Sequence, residues 1–247
     1  LFSAFDPISQ ALRSFELTDI VFSKFRPKPI PDDRIVLVNI GPSRMAIAQQ
    51  IATISQHKPK VIGIDSFFNC EGGFYDTENC PQLLDTLGNL MLSNAIQEAG
   101  NVVLVSRLLQ SDSLVNAPEK PLDLYDSMEY SDPMFSDYAT NAFANLPTGT
   151  SDGGDAAVYQ EDVKICKSIF PKMMVNGRRE LAFSVMMAMM YDSAKTNRFL
   201  ARNNEEEIIN FKGNININDV RIASHRAAVD SSSSEFNAIC FALDWDQ

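Results

Sequence analysis

The sequence predicts an α/β fold: a layered βαβαβ core with a mostly parallel central sheet, mixed later strands, an N-terminal amphipathic helix and long loops. Three observations predict it. Nearly continuous aliphatic runs recur at Arg34–Ile40, Val61–Asp65 and Asn101–Val105, the pattern of strands covered on both faces. Helical stripes lie between them, with Ile47, Ile51 and Ile54 in the first gap and Leu83, Leu87, Leu90, Met91 and Ala95 in the second. Proline or glycine stands at most junctions: Gly41-Pro42, Pro59 and Gly100. Alternation of this kind over about 75 residues argues for helices layered on a sheet.

In chain order, Asp6-Pro7 opens the first helix as N-cap and first helical residue. Ile8, Ala11, Leu12, Phe15 and Phe22 form its apolar face, while Arg13, Glu16 and Asp19 fall opposite. Pro27, Pro29 and Pro31 must end it. After the Arg34–Ile40 strand, Ser43 caps the next helix, and Lys58-Pro59-Lys60 stops it before Val61–Asp65. A crossover of this length favours parallel pairing of the two strands. Gly100 closes the second core helix. Residues 110–160, rich in Asp, Ser, Pro, Tyr and Gly, read as surface loops with a short strand near Phe143–Leu146. Glu180–Arg202 reads as one helix, buried because Leu181–Tyr191 is apolar on almost every face. Ile208–Phe211 and Ala238–Leu243 read as strands on either side of a serine-rich excursion at Ser231–Ser234. The expectation is one domain over 1–247, comprising an N-terminal helix (1–25), the βαβαβ core (33–105), a loop-rich insertion (110–160) and C-terminal helix and strands (161–247).

The 247 residues carry a net charge of −11. Such a balance argues against affinity for nucleic acid or an anionic lipid surface. The longest strongly apolar run, Leu181–Tyr191, is about half the length that spans a bilayer. The chain opens on Leu1, in an apolar segment, and reads as a piece of a larger protein.

Cys70, Cys80, Cys166 and Cys240 show no C-x-x-C spacing, and only His57 and His225 offer imidazole. No metal site is expected. Pairing Cys70 with Cys80 leaves Cys166 with Cys240, loops worth roughly 3 and 4.5 kcal/mol in an oxidising compartment. Four buried thiols are the alternative. Asp152-Gly153-Gly154-Asp155 has two carboxylates but not calcium-loop spacing, so it reads as a solvated turn. Six methionines, at 173, 174, 186, 187, 189 and 190, read as core filler rather than a Cu(I) cluster. No G-x-G-x-x-G, phosphate loop, G-x-S-x-G or H-E-x-x-H pattern occurs. Neither a cofactor nor catalysis is expected.

Ligands of open α/β sheets gather beyond the carboxyl ends of parallel strands. Asp65 ends the second strand, and Asn39, Ser66 and Arg107 lie at corresponding ends of the strands around it. Together they are candidates for a polar crevice. Capping of the following loop's amides is the favoured alternative for Asp65.

Several segments taken in order resemble the type-two CHASE domain. They are Phe25-Arg26-Pro27, Asp33–Ile40, Pro59–Phe68, Ala99–Leu104 and Ile208–Gly213; order and spacing carry the likeness over about 16–213. Where the family commonly has W-P-W-P-R after its first strand, this chain has Ser43–Gln50. The family also continues past its last strand into another short strand, a loop and membrane helices. The resemblance implies a periplasmic, signal-sensing part of a bacterial inner-membrane receptor. Flanking membrane helices would join it to a cytoplasmic output domain of kinase or cyclase type, with an unidentified small-molecule or protein ligand. A homodimer is a further expectation, the N-terminal helix being juxtamembrane. The alternatives are a cytosolic α/β enzyme or phosphoacceptor domain using Asp65, and an envelope interaction domain that senses nothing.

Overall fold

The computed structural model describes residues 34–70, 80–111, 113, 125–145, 168–209, 222–223 and 239–243, the last two stretches as backbone only. The expected helix at 7–25, Cys166, Asp152–Asp155 and Ser231–Ser234 lie outside these residues, and Cys240 is placed by its backbone alone.

Strand β1 (Ile35–Asn39) leads through Gly41-Pro42 into helix α1 (Arg44–Ser55), whose amide of Ala46 donates to the Ser43 hydroxyl at 3.3 Å. Strand β2 (Ile62–Asp65) follows, then a 3₁₀ turn (Pro81–Leu84) and α2 (Thr86–Ala99). Asp85 caps α2 through the Gly88 amide, and Gly100, at φ 67°, closes it in the left-handed region that glycine enters without penalty. Strand β3 (Val102–Leu109) completes the expected core. Next come β4 (Ser127–Glu129), the short α3 (Pro133–Ser136) and β5 (Thr140–Phe143). β6 (Ser168–Ile169) and the β7–β8 hairpin (Lys172–Val175, Arg178–Leu181) precede α4 (Phe183–Tyr191) and α5 (Ser193–Leu200). β9 (Glu207–Ile208), β10 (Ile222–Ala223) and β11 (Ile239–Leu243) end the series.

The fold is α/β, with a sheet of parallel strands and one antiparallel addition. β1 and β2 are not neighbours, however. β11 lies between them, parallel to both, from Ile35 opposite Ile239 to Asn39 opposite Leu243, and from Cys240 opposite Ile62 to Leu243 opposite Asp65. The α1 crossover therefore skips one strand position, which the chain fills some 200 residues later. β2 pairs with β3, β3 with β5, and β10 lies along the far edge of β1.

β4 caps this arrangement. Amide groups along a strand point alternately to its two sides. The Asn101 carbonyl, accepting from Ile62, and the Leu109 carbonyl, accepting from Asp126, share one side; the Ser106 carbonyl, accepting from Ala144, takes the other. Thus β4 pairs with Arg107–Leu109 on the edge that β2 has vacated, beyond the carboxyl end of β2. Asp132 donates its amide to the Phe68 carbonyl, and Phe68 its amide to the Ser131 hydroxyl, tying down the loop that β2 releases.

Each sheet face has its own core. α1 and α2 bury Ile47, Ile51, Ile54, Leu92 and Ile96 against Val36, Val38, Ile62, Ile64, Val102 and Leu104. On the reverse, Phe183 and Met187 of α4 meet Val61, Val103, Val105 and Ala142. That contact requires Gly63, where a Cβ would overlap the Met187 sulfur and meet Phe183 Cζ at 3.0 Å. A third cluster, with Leu108, Phe143, Val175, Ala182 and Val185, packs the hairpin onto the β5 edge.

Other segments differ in part from expectation. Glu180–Arg202 is not one buried helix: Glu180 and Leu181 end β8, Asp192 separates α4 from α5, and Ser184 and Ala188 face solvent. The cause is local, since the Asp192 carboxylate accepts from the Lys195 amide at 3.0 Å and starts a new helix. Within 110–160 the short strand expected near Phe143–Leu146 is β5, three residues earlier and integral to the sheet, while Phe135 of α3, fully buried in the first core, departs from the surface-loop expectation. The strand expected at Ile208–Phe211 is seen as β9, Glu207–Ile208, antiparallel to β6 and apart from the main sheet, while 210–211 lie outside the described residues. Finally, β1 is buried on its α1 side only: Val36 and Val38 are buried, whereas Ile35 and Asn39 are exposed.

Candidate functional site

Registry settles which candidates share a face. Asn39 stands level with Leu243 and Leu243 with Asp65, so Asn39 and Asp65 project from the same side, two strand spacings or about 10 Å apart. That side carries α4. Because Ile64 is level with Leu104, Val105 is level with Asp65, and Arg107 follows one pleat further along the same face. Asp65 and Arg107 are thus about 8 Å apart at the backbone. Ser66 lies past the end of β2, half-buried and outside this row.

Arg107 is held in place. Its guanidinium pairs with Glu129, the residue opposite it on β4, at 3.3 Å, and its Cζ lies 5.1 Å from the centroid of the Phe67 ring. Asn69 donates to the Glu129 carboxylate at 3.0 Å. Both members of the pair are partly exposed, so its worth is small in energy, on the order of 0–1 kcal/mol, and mainly orientational.

Asp65 differs. Among the described residues its carboxylate accepts no hydrogen bond and forms no ion pair, so the loop amides that follow do not satisfy it there. The residue reaches solvent, yet protein packed around the carboxyl raises its pKa above the usual carboxylate range by desolvation. Asn39 is exposed, and its backbone carbonyl accepts from Gln50 Nε2 at 3.1 Å. Among the described residues the ledge therefore combines the Asp65 carboxylate, the Asn39 amide and a guanidinium paired with Glu129. Its net charge is negative.

The opposite face of the same sheet end holds a polar cluster that sequence reading missed. Arg44, the first residue of α1, is buried, hydrogen-bonded to Asn89 Oδ1, and placed 5.3 Å from the Phe135 ring centroid. Desolvation lowers its pKa, opposed by the charges of Asp132 and Asp85. Asn89 donates to the Gln82 carbonyl and Ser93 to the Met134 carbonyl. These partners join the starts of α1, α2 and α3, a structural junction rather than an open site. A signal was present: Arg44 lies three, seven and ten residues before Ile47, Ile51 and Ile54, on their apolar stripe.

A disulfide joins Cys70 and Cys80, both buried, with Cα atoms 5.4 Å apart. It ties the end of the β2 loop to the start of the 3₁₀ turn. Among the described residues no three His, Cys, Asp or Glu side chains gather as a metal site, and no helix is long and apolar enough to cross a membrane. Met186, Met187 and Met190 pack in the α4 core, Met173 packs in the third cluster, and Met174 is exposed.

Compared with known protein families, curated proteins and solved structures, the chain matches none of them.

Proposed function

We propose that this chain is the extracytoplasmic signal-input domain of a bacterial transmembrane receptor, similar to the type-two CHASE domain, and that its ligand is cationic. The observation that carries the reading is the row Asn39–Leu243–Asp65. β11 ends at Leu243 between the two exposed polar residues, so a molecule seated there touches the root of the residues after Leu243. Ligand binding that favours one placement of that root shifts a two-state equilibrium by its differential affinity and no more. Such coupling asks nothing of catalytic groups. The Cys70–Cys80 bridge accords with an oxidising compartment.

The ligand class follows from charge. Asp65 lacks a partner among the described residues, Arg107 is matched by Glu129, and the chain carries −11 overall. An ammonium or guanidinium group would pair with Asp65 and hydrogen-bond to the Asn39 amide. Its ionised carboxylate is required, so affinity should fall as pH drops through the raised pKa of Asp65.

Thermal-shift screening against a panel of amines tests this, since anything binding only the native state raises Tm. Asp65→Asn should abolish the shift. Without ligand, the same variant should be slightly more stable than the parent at pH 7. A folded-state pKa above the unfolded value means that the native state binds more protons between the two, so stability falls as pH rises through that window. Below it the parent and Asp65→Asn should melt alike. Amine binding that survives Asp65→Asn would sink the ligand assignment.

A further inference from the structure

We infer that the outer face of α2 is the contact through which two copies of this chain associate. Leu84, Leu87 and Leu90 follow at three-residue intervals from the 3₁₀ turn into α2 and are 69%, 59% and 54% exposed. The Ser93 hydroxyl donates to the Met134 carbonyl at 2.6 Å, which places Met134, 40% exposed, beside the same helix turn. Four large apolar side chains thus form one patch, on the order of 400 Å², of the size that marks an interaction surface on a monomer.

Charge selects the occupant. Thr86–Gln97 contains no charged residue, although charged residues make up 21% of the chain. Asp85, just before it, is turned inward to cap Gly88. Two copies at −11 each repel over most of their surfaces and can approach only where charge is missing. A basic partner would instead seek the acidic surface. An uncharged leucine strip is therefore suited to its own copy. Two α2 helices crossing about a twofold axis place the same patch on both sides of the contact, as an isologous interface requires. Thr86, Asn94 and Gln97 rim the strip with exposed polar side chains, which widen the contact toward the total of about 1,000 Å² that a specific interface needs. The inference does not depend on any ligand.

Sedimentation velocity over a concentration series tests it. The intact chain should show a monomer–dimer equilibrium with a micromolar Kd that tightens as salt screens the mutual repulsion. Leu87→Glu with Leu90→Glu should weaken association at least tenfold, with circular dichroism unchanged. Ile208→Glu, which alters an apolar residue 85% exposed elsewhere, should leave it intact. Leu87→Gln with Leu90→Gln serves if the acidic pair misfolds. A chain that stays monomeric throughout, a dimer indifferent to both leucine pairs, or one equally broken by Ile208→Glu overturns the inference.

Discussion

Gly63 shows how much one missing atom decides. It lies in the middle of β2, where glycine weakens a strand, and is tolerated because α4 crosses the sheet directly above it. Gly63→Ala must displace Met187, 1% exposed, or the Phe183 ring. The expected cost is about 1–3 kcal/mol, as in other overpacked cores, read as a lower urea midpoint with an unchanged slope. Met187→Ala in the same chain should recover part of it. The sequence placed Gly63 in a buried strand correctly, but the reason for a glycine there was illegible, since Met187 is 124 positions away. Asp65 was legible as the end of a strand. That its carboxylate lacks a partner among the described residues depends on the fold of the loop beyond it.

Elements whose code is local were read well, and those coded by distant contacts were not. Ser43 and Gly100 cap α1 and α2 where expected, but α2 starts at Thr86 rather than at Leu83, behind the unread cap Asp85, and its buried face carries Leu92 and Ile96 while Leu87 and Leu90 of the expected stripe are exposed. The β7–β8 hairpin is an exception, unread despite a local signal, Asn176-Gly177, whose φ values of 50° and 74° suit a two-residue turn. Glu180–Arg202 misled because uniform apolarity hides where a strand yields to a helix, and Asp192 was the visible break. The Cys70–Cys80 bridge ties the segment after β2 to the 3₁₀ turn that precedes α2. Closing a loop of separation 10 removes about 3 kcal/mol of unfolded-state entropy. Cys80→Ser should therefore lower the unfolding free energy by about that amount, and reductant should reproduce the loss in the parent but not in Cys80→Ser. Equal sensitivity of the two chains to reductant would place the effect at another thiol.

For the whole molecule, the decisive feature is that the sheet is finished by its last strand. β11 makes five register pairs with β1 and four with β2, so without it two parallel edges face each other across an empty position. No local pattern encodes this: Ala238–Leu243 is legible as a strand, but its neighbours lie roughly 180 and 200 positions earlier. Loop closure over such a span makes β11 a late participant in folding, because its entropy must be lost before any pair forms. A chain ending at residue 237 should thus retain helical circular dichroism from α1 and α2 while losing a cooperative thermal transition. It should also scatter light within minutes at micromolar concentration, since exposed strand edges recruit one another. A peptide of residues 238–247 added during refolding should suppress the scattering by taking the empty position. Hydrogen exchange gives the finer reading: amides of β1 and β2 should lose protection in the shortened chain, while those of Val103–Ser106, paired with β5, lose less. Cooperative unfolding of the shortened chain with the parent's urea dependence would mean that the sheet closes without β11 and that its central position is not what holds the two halves together.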